Sequence, residues 1–262
     1  MPGLHGNNGR NFARFPLQTA IMSIWGKVAG AVAGVAIGGP LGALIGAVAG
    51  HLVVDKDWEG VDPDGSGAQV AFTIGFIALS AKMAKADGVV TRDEVDAFKQ
   101  VFRVAANEYD HVKRVFDLAR QDVAGYEAYA KQLGGIFRSR PGVLEDVLDA
   151  LFHIAKADGV IHDKEIDYLE NVAEIFGFSA HEFARIRASH LGPNAADPYV
   201  VLGVDRDISD EDLKRAYRRL VKENHPDSLI ARGVPEEFVI MANEKLAAIN
   251  SAFDQVEKER GL

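Results

Sequence analysis

The chain of 262 residues contains no cysteine. That excludes disulfides, a thiol nucleophile and any zinc site built on thiolates, and it fits a reducing compartment. An excess of positive charge is also missing: 29 Lys and Arg face 38 Asp and Glu, a formal net charge of -9. A broad basic face able to neutralise a phosphate backbone is therefore excluded, though a local basic patch is not. The eight histidines are scattered, and no pair has the His-Glu-x-x-His spacing of a helical metalloenzyme site. No segment shows the sustained alternation of a β-strand. An all-α protein remains.

The N-terminal residues 1–27 hold Gly, Asn, Arg and Pro with no apolar period until Met22, and they read as disordered. Met22, followed by Ser-Ile-Trp-Gly-Lys, has the look of the true start. Residues 28–50 carry no charge, between Lys27 on one side and Asp55 on the other. About 20 apolar residues cross the hydrocarbon core of a bilayer, so this segment, taken as 28–54, reads as a membrane helix. Gly30, Gly34, Gly38, Gly42, Gly46 and Gly50 fall on one helical strip. In lipid such a strip lets two helices approach, which points to a homodimer through this helix. In water each glycine would weaken a helix by about 1 kcal/mol relative to alanine. A signal peptide and a soluble Gly/Ala-rich tail are the rival readings. Arg10, Arg14 and Lys27 before the segment outweigh Lys56 after it, but a start at Met22 leaves Lys27 against Lys56 and no orientation. Residues 55–68, rich in Asp and Gly, read as a linker.

Residues 69–190 are helical by apolar spacing, as at Val95, Phe98, Val101, Phe102 and Ala105. Thr91 with Glu94 and Ser179 with Glu182 have the capping-box pattern, and boundary signals suggest about seven short helices. The region repeats itself. Ala84-Lys85-Ala86-Asp87-Gly88-Val89-Val90 returns as Ala155-Lys156-Ala157-Asp158-Gly159-Val160-Ile161, and Glu94 returns as Glu165. Asp-Gly-x5-Glu matches the tail of a calcium loop. The first and third loop positions, however, hold Met83 and Lys85, then Ile154 and Lys156, which cannot ligate calcium. Helix ends and caps account for each of these residues. The sharper reading has Asp87, Glu94, Asp158 and Glu165 converging on an acidic surface for a divalent metal or a partner. The doubled motif resembles the TerB (tellurite-resistance B) family, which implies an all-helical domain over residues 69–190 with such an acidic face.

After a second linker at 191–196 three helices can be placed. Asp197 caps the first, with Pro198 at its first position. Ser209 caps the second, which must end near Asn224 because of Pro226. The third runs from about Pro235 to Arg260 by its apolar spacing. On the second helix Leu213, Ala216, Tyr217, Leu220 and Val221 make one face, and Lys214, Arg215, Arg218, Arg219 and Lys222 a basic stripe. The stripe runs into Asn224-His225-Pro226-Asp227. It would steer an acidic surface, and it lacks the aromatic platforms that stack single-stranded bases. Nucleic acid is not an expected partner.

Asp197-Pro198-Tyr199, the Leu213–Leu220 stretch, His225-Pro226-Asp227 and Ala248–Phe253, in this order, resemble the J domain over residues 197–262. The resemblance implies a helical hairpin with the His225-Pro226-Asp227 loop at its tip. It also implies a DnaK-type chaperone as partner, docked on Lys214, Arg215, Arg218, Arg219 and Lys222, whose ATP hydrolysis the loop promotes. None of these residues would act as acid, base or nucleophile, so the chain is not expected to be an enzyme, and no cofactor is implied beyond the metal considered above. Pro226 fixes the backbone, Asp227 can accept charge-assisted bonds, and His225 offers two ring nitrogens. Ser228 departs from the lysine common in J domains, and Ser228–Pro235 reads as a long loop. The glycine-rich helix, TerB-like region and J domain together resemble the membrane-anchored, DnaJ-like DjlA family of bacteria. That implies a single pass through the inner membrane with the C-terminal domains in the cytoplasm; a soluble cytoplasmic protein is the alternative. A stress-response scaffold or metal sensor acting through the acidic surface is the alternative function.

Overall fold

The computed structural model describes residues 39–43, 66–87, 109–121, 125–191, 196–232, 234 and 239–262. Among them every regular element is a helix. The elements are α1 (Ser66–Asp87), α2 (Tyr109–Gln121), α3 (Tyr126–Ile136), α4 (Pro141–Ala155), α5 (Asp163–Phe176), α6 (Ala180–His190), α7 (Pro198–Leu202), α8 (Asp210–Glu223), α9 (Pro226–Ala231) and α10 (Val239–Arg260).

Helix α1 is apolar on every side, and a helix of that kind has to be surrounded. It runs through the middle of a bundle, packed on α2, α3, α4 and α5. Phe72, Ile74, Phe76, Ile77 and Leu79 are almost wholly buried. Of its buried polar groups, the Thr73 hydroxyl is left without a hydrogen-bond partner among the described residues, whereas two others are answered. The Ser80 hydroxyl donates to the Phe76 carbonyl at 2.9 Å, and the Tyr168 hydroxyl of α5 donates to the Leu79 carbonyl at 2.8 Å.

The last four described helices are built on a hairpin. α8 and α10 run antiparallel, with Tyr217 stacked on Phe253 at 4.0 Å and its hydroxyl donating to Asn250 Oδ1. α7 closes the open end on α10. There Arg260 donates to the Ile208 and Arg206 carbonyls, to the Tyr199 hydroxyl and to Asp210. Leu213, Leu220, Ile249, Phe253 and Val256 form the hairpin core.

Several expectations change. α1 begins at Ser66, inside the stretch read as linker, and at 22 residues it is not short. The loop expected after the His-Pro-Asp sequence holds a six-residue helix, α9. Pro226 stands at its first position, where a missing N–H costs nothing. The expected disorder of 1–27, the start at Met22, the Thr91–Glu94 cap and most of the glycine-rich segment lie outside the described residues. Residues 39–43 are described. Leu41 is buried in the bundle core, and its N–H donates to Gln132 Oε1 of α3 at 2.9 Å. Among the described residues no helix is long and apolar enough to cross a membrane.

Candidate functional site

The basic stripe is set by the amphipathic period of α8. Leu213, Ala216 and Leu220 turn inward. Lys214, Arg215, Arg218, Arg219 and Lys222 are all exposed on the other side. Ser209 caps the helix by accepting from the Asp212 N–H at 3.1 Å. Asp210, Glu211 and Asp212 in the first turn suit its positive end. Arg215 is drawn back to that turn, 2.7 Å from Asp212 and 3.5 Å from Glu211. Among the described residues Lys214, Arg218, Arg219 and Lys222 have no carboxylate partner, so their charge faces solvent.

The helix stops at Asn224, whose side-chain amide donates to the Leu220 carbonyl at 2.8 Å. His225 then serves as the N-cap of α9: its Nδ1 accepts from the Asp227 N–H at 3.2 Å. Only one ring nitrogen is therefore available to a partner, not two. With Nδ1 as acceptor the ring proton sits on Nε2. Asp227 projects into solvent, its side chain 87% exposed. Ser228 donates to the Lys222 carbonyl at 2.6 Å and ties the loop to the end of α8. Tyr217, Arg218, Val221, Lys222, His225 and Ser228 line a shallow groove between stripe and loop. Seven of the eight singled-out residues of this hairpin thus share one exposed surface, and Pro226 is partly covered.

The acidic repeat is placed differently. Asp158 Oδ1 accepts from the Val160 N–H at 3.0 Å, with Gly159 at φ +90° in the turn. Glu165 is buried and reaches back to accept from the His162 N–H at 2.9 Å, closing the start of α5. In this copy the two carboxylates serve a turn and a cap. Asp87 ends α1, while its side chain and Glu94 lie outside the described residues. Among the described residues no group of three or more His, Asp or Glu side chains is placed to hold a metal.

One cluster escaped the sequence reading. α4 carries Glu145, Asp146 and Asp149 among apolar residues, all turned toward the hairpin. Lys245 of α10 is buried between Glu145 and Asp149, 2.6 Å from the latter. Arg185 pairs with Glu145 at 2.6 Å, His190 with Asp149 at 2.8 Å, and Arg232 with both oxygens of Asp146 at 2.9 and 3.2 Å. Burial pushes all three carboxyls up. Lys245, with His190, holds Asp149 far below the usual carboxylate range, and Lys245 with Arg185 holds Glu145 below it. For Asp146 burial wins over Arg232 and Lys245, and its pKa rises to about 7. Burial also lowers His190, against its bond to Asp149. The available signal was the run Glu145-Asp146-x-x-Asp149 inside an otherwise apolar helix: carboxylates on a face that packs need cations.

Three family models match the chain in order: the co-chaperone DjlA transmembrane domain at 22–79, the tellurite resistance protein TerB at 73–188, and the DnaJ domain at 197–260. Among curated proteins, the co-chaperone protein DjlA of Coxiella burnetii is 30% identical over 201 residues, covering 69% of this chain and 74% of the relative. That of Shewanella oneidensis is 28% identical over 261 residues, covering 92% of this chain and 100% of the relative. That of Aliivibrio fischeri is 28% identical over 227 residues, covering 74% and 80%. No solved structure matches. The TerB match falls on the bundle and the DnaJ match on the hairpin that carries the basic stripe and the His225 loop. The chain belongs to the DjlA family of J-domain co-chaperones.

Proposed function

We propose that this protein docks a DnaK-type chaperone on α8 and stimulates its ATP hydrolysis through the His225-Pro226-Asp227 loop. The observation that carries the reading is the continuity of one exposed surface. Lys214, Arg218, Arg219 and Lys222 leave their charge unanswered beside a loop whose shape is fixed by a histidine cap. Such a stripe speeds encounter with an acidic surface and becomes less effective as salt rises. His225 Nε2 and the Asp227 carboxylate are the groups left to meet the partner. Neither acts on a substrate of this chain; the ATP chemistry belongs to the partner.

The uncharged stretch 28–50 and the transmembrane-domain match support a tether in the bacterial inner membrane, with the helical domains in the cytoplasm where the partner's ATP is. Insertion of that whole stretch draws Leu41 off α3, at a cost of about 2–3 kcal/mol for one buried leucine, offset by the apolar residues entering lipid. A tag after Leu262 should stay unlabelled by an impermeant reagent in intact cells; labelling would reverse the topology.

The deciding assay is steady-state ATP hydrolysis by a DnaK-type chaperone with the full chain in detergent. The wild type should stimulate, and His225→Gln should abolish stimulation with helical content unchanged. Full stimulation by the variant would sink the proposal.

A further inference from the structure

The His225-Pro226-Asp227 loop is held from outside its own hairpin. Arg232, one residue beyond α9, gathers three contacts. Its Nη1 donates to the carbonyl of Glu223, the last residue of α8, at 2.9 Å. Its Nη2 donates to both carboxylate oxygens of Asp146 on α4. Its own carbonyl accepts from Arg140 Nη1, just before α4, at 3.0 Å. One guanidinium thus joins the chain before the loop to the chain after it, and the bundle holds that guanidinium. Gly142 leaves room for it, since a Cβ there would sit 3.2 Å from Nη1.

The neighbouring side chains point the same way. Leu229 of α9 and Val234 beyond it are buried in the bundle core rather than in the hairpin core. The backbone N–H groups of Ser228 and Leu229 donate to the His225 carbonyl, so the loop and α9 move as one piece. Asparagine at 146 offers Arg232 Nη2 one acceptor oxygen in place of two and sets an amide NH2 where the second oxygen stood, while the Glu223 carbonyl remains. The tie within the hairpin then survives, and the tie to the bundle weakens.

We propose that Asp146 of the TerB-like bundle is a positioning residue for the His225-Pro226-Asp227 loop, acting through Arg232. The inference rests on the co-chaperone reading for its functional consequence but not for its structural one. It gives the bundle a part in the activity of the J domain: whatever moves α4 moves the loop.

Two variants of the full chain test it. Asp146→Asn keeps the shape and one acceptor oxygen. Arg232→Lys keeps a cation but cannot reach the Glu223 carbonyl and both Asp146 oxygens together. Each should lower maximal stimulation of the chaperone's ATPase by roughly tenfold, as displaced reacting groups do, with the half-saturating concentration unchanged because α8 still docks. A merely unfolded fraction would do the reverse, raising the half-saturating concentration and sparing the maximum. The double variant should be no worse than Arg232→Lys alone if the two act in series. Amide exchange at Asp227, Ser228 and Leu229 should quicken in Asp146→Asn, with Tyr217 in the middle of α8 unchanged as reference. Unchanged loop exchange, or quickened exchange with undiminished maximal stimulation, would overturn the proposal. If the wild type fails to stimulate, the co-chaperone reading fails, and loop exchange alone still decides whether Asp146 holds the loop.

Discussion

His225 has two roles that one substitution can separate. Its Nδ1 caps α9, and its Nε2 remains for a partner. Asparagine is among the best N-caps, so His225→Asn should keep α9 and leave stability within about 0.5 kcal/mol. It lacks the reach of Nε2, so stimulation should still fall at least tenfold, on the order of one charge-assisted contact. A variant that stimulates normally would reduce the histidine to a cap. Asp146 makes a second residue-level prediction through pH. Its pKa is about 7 in the fold, above the ordinary 3.8, so the protonated acid favours folding. That contribution is full below about pH 4 and is lost as pH rises through 7. Relative to Asp146→Asn, the wild type should lose stability across this window, by about 4 kcal/mol at most. Denaturant melts of both proteins at several pH values check it; parallel profiles would show that Arg232 and Lys245 offset the effect of burial on Asp146. The place of His225, Pro226 and Asp227 directly after the basic helix was legible in the sequence; that His225 and Asp227 are exposed while Pro226 is partly covered was not. Nor was the use of Nδ1, because a cap depends on one rotamer and on α9 following directly.

At the scale of elements, local chemistry was readable and tertiary demand was not. The caps at Ser179, Asp197 and Ser209 stand where the sequence puts them, each accepting the expected backbone N–H. Those signals lie within three residues of each other. α9 was missed because six residues hold too little of a 3.6-residue period to register, and only Pro226 announced it. α1 was misjudged as short because its apolar residues cover every face, which blurs the amphipathic period used to mark ends. Its fit is tight at Gly75, where a Cβ would lie 2.6 Å from both Cδ atoms of the fully buried Leu133 of α3. Gly75→Ala should therefore destabilise the bundle by about 1–3 kcal/mol despite alanine's better helix propensity. The midpoint of denaturant unfolding reads it directly, and a stabilised variant would show that α1 and α3 are not packed this closely.

At the scale of the whole molecule, sequence spacing says where one domain gives way to the next but not how the two pack. The stretch 191–196 reads as a linker with a domain on either side. The described helices interlock, each side adding residues to the other's core. Leu229, Val234, Met241 and Ala242 of the J domain are buried with the bundle, and Ala188 of the bundle is buried with the hairpin. α6 packs so closely on the end of α7 that a Cβ at Gly203 would lie 2.7 Å from Arg185 Cδ. The ion pairs of α4 join residues 96 positions apart in the case of Asp149 and Lys245, beyond any local pattern. Lys245 is the centre of this junction, buried between two carboxylates whose pKa values it lowers. Removing one partner of a buried pair leaves uncompensated charge, so Lys245→Ala should cost about 3–5 kcal/mol. The loss falls on the junction, not on either core. The wild type should therefore melt in one calorimetric transition and Lys245→Ala in two, the hairpin first, because the coupling that made them one cooperative unit is weakened at its centre. Lys258, exposed near the end of α10, is the control, and Lys258→Ala should melt as the wild type does. One transition in all three proteins, with Lys245→Ala scarcely shifted, would mean that the two domains are not joined at α4.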